Sequence, residues 1–292
     1  MNGRDEALKR RSGEGHGAPS SGPRPTILGV LNLTRDSFSD GGRFLDPAAA
    51  VAHAQEMAAA GADLIDVGAQ ATNPDAEQLD EAEETRRVLA VLPALKARGL
   101  TVSVDTFRPG VMAAALAAGA DIINDVTGGR TPGTLAVLAR TSAPVIVMHS
   151  TSSSPRAAPT WIDPATTVER VCVFFAERLA TLAAAGIARE RVILDPGLGF
   201  FLGSNAEASV AVLRGLPRLA ALGRPLCLGG SRKSFVGALL DGPAQPRAVD
   251  ERGYGTLAVE LWAALQGVAY LRTHDVRALC DALRVWRAVG QP

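Results

Sequence analysis

Lysine is almost missing from this sequence. Of 30 basic residues in 292, only Lys9, Lys96 and Lys233 are lysines. Codon usage accounts for most of that bias. A lysine kept at Ser-Arg-Lys-Ser, straight after an apolar run, still points to a use for a compact, titratable ammonium. Cysteine occurs three times, at Cys172, Cys227 and Cys280. Three such widely spaced thiols make neither a disulfide framework nor a metal spacing, and they fit a reduced, cytoplasmic setting. A surplus of charge is also absent, because 30 acidic residues balance the 30 basic ones. That argues against a nucleic-acid binder, whose phosphate contacts normally leave a basic excess. No uninterrupted apolar run approaches the length of a membrane span. The opening residues are Gly, Ser, Pro and charge without an apolar core, so no secretory signal is expected.

What is present suffices for a large core: 47% of the chain is hydrophobic and 21% is charged. Residues 1–24 lack periodicity and are expected to form a disordered polar tail, leaving 25–292 as one domain. Within it, short apolar runs alternate with helix-period segments. The expected strands are 26–32, 63–68, 101–105, 121–125, 144–149, 191–196, 225–230 and 269–274. Each is apolar on both faces and bounded by Gly, Pro or Asp, as buried parallel strands are. The expected helices are 47–60, 79–98, 109–118, 133–141, 164–185, 206–221, 247–266 and 276–289, the last capped by Asp275. Eight such units in this length predict a closed α/β barrel, the (β/α)8 TIM barrel. A doubly wound open sheet is the rival, but it calls for a Gly-rich dinucleotide turn after its first strand. Here that turn reads NLTRDSFSDGG.

A barrel of this kind builds its site from the carboxyl ends of its strands. Those ends supply Asn32, Asp66, Asp105, Asn124 with Asp125, His149, Asp195, Ser231-Arg232-Lys233, and Arg272 with His274. Any one of them could be a helix cap. Together they converge on one mouth. Several carboxylates, an asparagine and a lysine suit a flat heterocycle with an amidine-like N–H edge and a ring carbonyl. Arg232, Lys233, Arg272 and His274 follow strands seven and eight, where barrels place an anion, beside a helix start at Ser231 to Ser234. Asn32 with Asp36 or Asp40 offers oxygens for Mg²⁺. His149 and His274 lack companions at ligand spacing, so a dedicated metal centre is not expected. No Ser-His or Cys-His pair offers a nucleophile.

At these positions the chain resembles the dihydropteroate synthases. The likeness runs from about residue 26 to 288 and rests on GVLNLTRDSFSDGGRF, GADLIDVGAQATNPDAE, VSVDTFRP, GADIINDV, VIVMHS, LDPGLGF, SRKSFVG and RTHDV, in the family's order. The resemblance implies joining para-aminobenzoate to 6-hydroxymethyl-dihydropterin diphosphate with release of pyrophosphate. It implies that the pterin meets Asp105, Asn124, Asp195 and Lys233, with Met148 and Phe200 lining the pocket. It places the diphosphate and Mg²⁺ at Asn32, Asp36, Arg272 and His274, with Asn32 as the metal ligand. The aminobenzoate would lie at Ser231 and Ser234, beside Thr72 and the stem of Arg232. Small-molecule substrates and a homodimer follow, without nucleic acid or membrane.

Two departures bear on the diphosphate: Asn73 stands where the family carries an arginine, and Phe201-Leu202 replace a glycine-lysine. TNPDA, VMHS and GFFLG instead resemble a subgroup that includes mobile sulfonamide-insensitive synthases. Gly129, with no side chain to clash, nonetheless implies sensitivity to sulfonamides. Two other functions compete: a pterin-binding methyltransferase using methyl-tetrahydrofolate, and a non-catalytic pterin-binding paralogue. SRKSFVG and RTHDV argue against the first, and intact Asn32, Lys233, Arg272 and His274 against the second.

Overall fold

The computed structural model describes residues 24–34, 46–70, 78–152, 154–157 and 160–290. The expected tail up to residue 23, Asp36 and Asp40 of the first loop, and Thr72 and Asn73 of the second lie outside these residues. Arg24 lies within them, and its guanidinium pairs with Asp63 at 2.8 Å.

Eight strands form the sheet: β1 (Thr26–Asn32), β2 (Leu64–Gly68), β3 (Val102–Asp105), β4 (Ile122–Asp125), β5 (Val145–Met148), β6 (Val192–Asp195), β7 (Cys227–Leu228) and β8 (Tyr270–Thr273). Every pairing is parallel, in the order β6-β5-β4-β3-β2-β1-β8-β7. A parallel bridge from Leu194 to Leu226 closes the ring between β6 and β7, so the fold is the expected barrel. β7 is shorter than the apolar run 225–230 because Pro225 has no N–H to donate and Gly229-Gly230 open a turn.

Ten helices surround the sheet among the described residues: α1 (Pro47–Ala60), α2 (Glu81–Lys96), α3 (Pro109–Ala117), α4 (Thr134–Leu138), α5 (Pro164–Ala184), α6 (Ala206–Arg214), α7 (Leu216–Ala220), α8 (Ser234–Asp241), α9 (Gly253–Leu265) and α10 (Val276–Gly290). Local chemistry fixes their ends. Asp46, Asp80 and Asp163 cap α1, α2 and α5 through their carboxylates. Asp275 accepts from Ala278 N at 3.0 Å at the head of α10, as expected. The segment 206–221 is broken into α6 and α7, because Gly215 and Pro217 interrupt the helical bonds. No described helix is long and apolar enough to cross a membrane.

The period-two alternation of the strands divides the core. Leu28, Leu64, Ile122, Ile146, Ile193 and Cys227 form one apolar cluster, with Tyr270 against it. These are the inward residues low in the barrel. Their neighbours Ile27, Ile65, Ile123, Val145, Val192 and Leu271 belong to the larger cluster shared with the helices. Two residues further along, the same inward face turns polar at Asp66, Asn124, Asp195 and Arg272. The barrel interior is therefore an apolar plug beneath a polar mouth.

Candidate active site

Alternation decides which strand-end residues enter the mouth. Stepping by two from the plug gives Asp66, Asn124, Met148, Asp195 and Arg272, and a further step reaches Asn32 and His274. Arg272 is the hub. Its Nε donates to Asp66 Oδ2 and its Nη2 to Asp105 Oδ2 at 2.8 Å. Asn124 Nδ2 donates to the same Asp66 oxygen at 3.2 Å. Asp66 is fully buried, and its Oδ1 has no partner among the described residues. Two carboxylates from adjacent strands thus hold one guanidinium in place at the mouth, a fixed charged plate that a planar ring can stack against.

The remaining charges are tuned by burial. Desolvation pushes the Asp105 carboxyl up to about 7, against the pull of Arg272. Burial also raises Asp195, whose Oδ1 accepts from Gly197 N at 2.8 Å. Burial and the Arg272 charge lower Lys233 to about 8, while Asp195 and Asp105 oppose the fall. Near neutral pH Lys233 keeps its proton, whereas Asp105, raised to about 7, is shared between its protonated and ionised forms.

An apolar wall completes the pocket. Val126, Met148, Ala157 and Phe201 form a buried cluster with Phe107 packed against it. The Lys233 ammonium lies 4.8 Å from the centroid of the Phe201 ring. Phe200, by contrast, is exposed at the rim.

At the rim the chain after β7 is held by its neighbours. Arg232 takes a left-handed backbone, φ 58°. Its N–H donates to Thr256 Oγ1 at 2.9 Å, and its carbonyl accepts from Arg252 Nη1 at 2.9 Å. Those two bonds support a conformation that a residue with a side chain normally avoids. They deliver Ser234 as the first residue of α8, so free N–H groups stand at that helix start. His274 Nδ1 lies 3.0 Å from Ser231 Oγ. Burial, helped by Arg272, Arg232 and Lys233, drives its pKa down to about 3. The imidazole is therefore neutral and meets an anion by hydrogen bonding, not by charge.

Two strand-end residues do not enter the mouth. Asp125 and His149 have the opposite parity. Asp125 is used by its own turn, accepting from Thr127 N at 2.8 Å and Gly129 N at 2.7 Å. His149 packs edge-on against Phe174 of α5, with centroids 5.0 Å apart. Gly129 also faces away: a Cβ there would lie 3.4 Å from Leu135 and 3.8 Å from Leu182, in the helical layer. Its bare backbone therefore borders the helical layer. Asp105, Asn124, Met148, Asp195, Lys233 and Arg272 converge as expected, with Ser231, Arg232, Ser234 and His274 on one side of the rim. The sequence reading placed Asp66 at the mouth without a partner and treated Phe201 only as a departure. The structure makes Asp66 the carboxylate that holds Arg272. Phe201 sits on a loop, where the alternation of strands does not apply.

This barrel and mouth define a class. The chain is a member of the pterin-binding enzymes, whose family model, described as "Pterin binding enzyme", matches residues 28–274, and within them of the dihydropteroate synthases. It is 41% identical over 265 residues to the type-3 dihydropteroate synthase of Escherichia coli, covering 90% of this chain and 99% of that one. The Xanthomonas albilineans dihydropteroate synthase solved with 4-aminobenzoic acid superposes with a TM-score of 0.82 at 43% identity, covering 92% of this chain and 94% of that one. The same enzyme in complex with 7,8-dihydropteroate gives 0.79 at 42% identity, over 92% and 95% of the two chains.

Proposed function

We propose that this chain condenses 6-hydroxymethyl-7,8-dihydropterin diphosphate with para-aminobenzoate, giving 7,8-dihydropteroate and pyrophosphate. The observation that carries the reading is the Asp66–Arg272–Asp105 plate facing Lys233, Asp195 and Asn124. A pterin laid against the guanidinium can offer its N–H edge to Asp195 and Asp105 and its ring carbonyl to Lys233. The C–O bond to the diphosphate then breaks, with the electron pair leaving on the diphosphate. The buried carboxylates stabilise the cationic pterin methylene that remains. The aminobenzoate amine forms the new C–N bond and loses a proton, while its carboxylate rests on the N–H groups at Ser234, beside Ser231 and Arg232.

The donor chemistry fits Mg²⁺. Asn32 Oδ1 lies beside Gly68, 3.9 Å from a Cβ built there, on the same side as Asp105. A neutral amide oxygen is a hard ligand that leaves most of the coordination sphere to water and phosphate oxygens. Bound there, the ion would neutralise charge on the departing diphosphate. The neutral His274 ring, held at Ser231, could donate a hydrogen bond to the same diphosphate.

Purified protein with Mg²⁺ and both substrates should release one pyrophosphate per dihydropteroate formed. Tight pterin binding with no release would instead identify a non-catalytic pterin binder. A homodimer belongs to the same reading. Tyr254 and Trp262 of α9 and Trp286 and Val289 of α10 are exposed apolar side chains on adjacent helices that a second copy can cover. Light scattering at twice the monomer mass checks it. Sulfonamides, as analogues of para-aminobenzoate, should compete at Ser234 and Arg232.

A further inference from the structure

We propose that Phe201 is a positioning residue for Lys233, its ring serving as the seat for the ammonium in place of a hydrogen-bonding partner. The inference rests on the synthase reading for the step that it serves, but it stands on geometry of its own.

The ring is fixed. It is buried among Val126, Met148 and Ala157, with Phe107 beside them. Its backbone is fixed as well, because the Phe201 carbonyl accepts from both Thr151 N at 2.9 Å and Thr151 Oγ1 at 3.2 Å. The approach is tight: a Cβ at Gly197 would lie 3.3 Å from Phe201 Cβ. On this fixed platform the Lys233 ammonium lies 4.8 Å from the ring centroid. The side chain makes no cap bond to α8, although Lys233 occupies the cap position.

The physical consequence is specific. A buried ammonium needs compensation for lost water. A carboxylate in direct contact would supply it but would consume an N–H and neutralise the charge. An aromatic face stabilises the cation through its quadrupole and leaves the N–H groups free. Lys233 can then present donors to a ring carbonyl while remaining charged. The charged and titratable groups around it are Asp195 from β6, Asp105 from β3, and Arg272 and His274 from β8. Asp195 and Asp105 favour the ammonium, whereas Arg272 and burial oppose it. Phe201 adds to the first side, so removing the ring should lower the Lys233 pKa below its present value of about 8.

The test is competitive amine labelling of the full chain between about pH 6 and pH 10, with the Lys233 peptide read by mass spectrometry. Wild type is compared with Phe201→Leu and Phe201→Met, which keep apolar bulk without the ring, and with Phe201→Tyr, which keeps the ring. Either non-aromatic variant should lower the Lys233 midpoint by about half a pH unit, the size of a cation–π contact, and Tyr should restore it. The alkaline limb of kcat/KM should move by the same amount. An unmoved midpoint in a Leu or Met variant that retains the wild-type thermal melt would overturn the proposal and reduce Phe201 to packing. If wild type formed no dihydropteroate, the synthase reading would fail, while the labelling result would still decide whether the ring seats the lysine.

Discussion

Arg272 and His274 stand two residues apart on one strand yet do different work. Both were expected to meet the diphosphate. The guanidinium of Arg272 is committed to Asp66 and Asp105, so in the proposed reaction it would serve the pterin floor as well as the anion. Arg272→Ala should weaken binding of a free pterin alcohol and of its diphosphate together. It should also destabilise the fold by about 3–5 kcal/mol, because two buried carboxylates lose their cation. His274 is neutral and held at Ser231. His274→Ala should weaken the diphosphate by about tenfold, the worth of one good hydrogen bond, and change the alcohol by less than about twofold. Calorimetry with both ligands separates the cases. Equal losses for His274→Ala would move that ring from the anion to the pterin.

Among the elements, the sequence was most legible where a periodic rule applies. All eight strands were expected within two residues at each end, because buried parallel strands are short apolar runs with turn residues on both sides. The same alternation sorts Asp66 and Asn124 into the mouth and Asp125 and His149 out of it. A list of polar strand ends without parity cannot do that. Loops obeyed no such rule. The Phe201 carbonyl is fixed by Thr151, and the Arg232 backbone by Thr256 and Arg252, all contacts between residues far apart in sequence. The turn after β6 shows how tightly these loops are built. Gly197 has φ 66°, and a Cβ there would run into the His149 carbonyl oxygen. Gly197→Ala should therefore cost about 1–3 kcal/mol from backbone strain alone, and more from the clash. A thermal melt should show the loss, and a melt within a degree of wild type would mean that the turn after Asp195 can relax.

For the whole molecule, the buried titratable groups make stability depend on pH in two directions. Burial lowers His149 to about 4 and His274 to about 3. Their contribution is complete above the ordinary histidine value and is lost as the pH falls below it. Glu260, buried on α9 beside Thr273, has its pKa raised by burial to about 8, and its Oε1 has no partner among the described residues. The folded state holds that proton more tightly than the unfolded state. Its contribution is therefore complete below the ordinary glutamate range and is lost as the pH rises through about 8. Glu260→Gln imitates the protonated form. Its melting temperature should gain on wild type between about pH 5 and pH 8 and level off above that. A constant difference over that range would show that Glu260 does not titrate there.

The account stands on one claim above the others, that the inward strand-end residues of this barrel bind the reacting pterin. Steady-state kcat/KM for condensation, measured for wild type beside Asp195→Ala and Lys233→Ala, tests it most directly. Each side chain supplies a charge-assisted bond in a desolvated pocket, and each removal strands a buried partner. Each variant should therefore lose roughly a hundredfold or more. Losses below about threefold in both, less than 1 kcal/mol of transition-state stabilisation, would remove them from the pterin site and contradict the account.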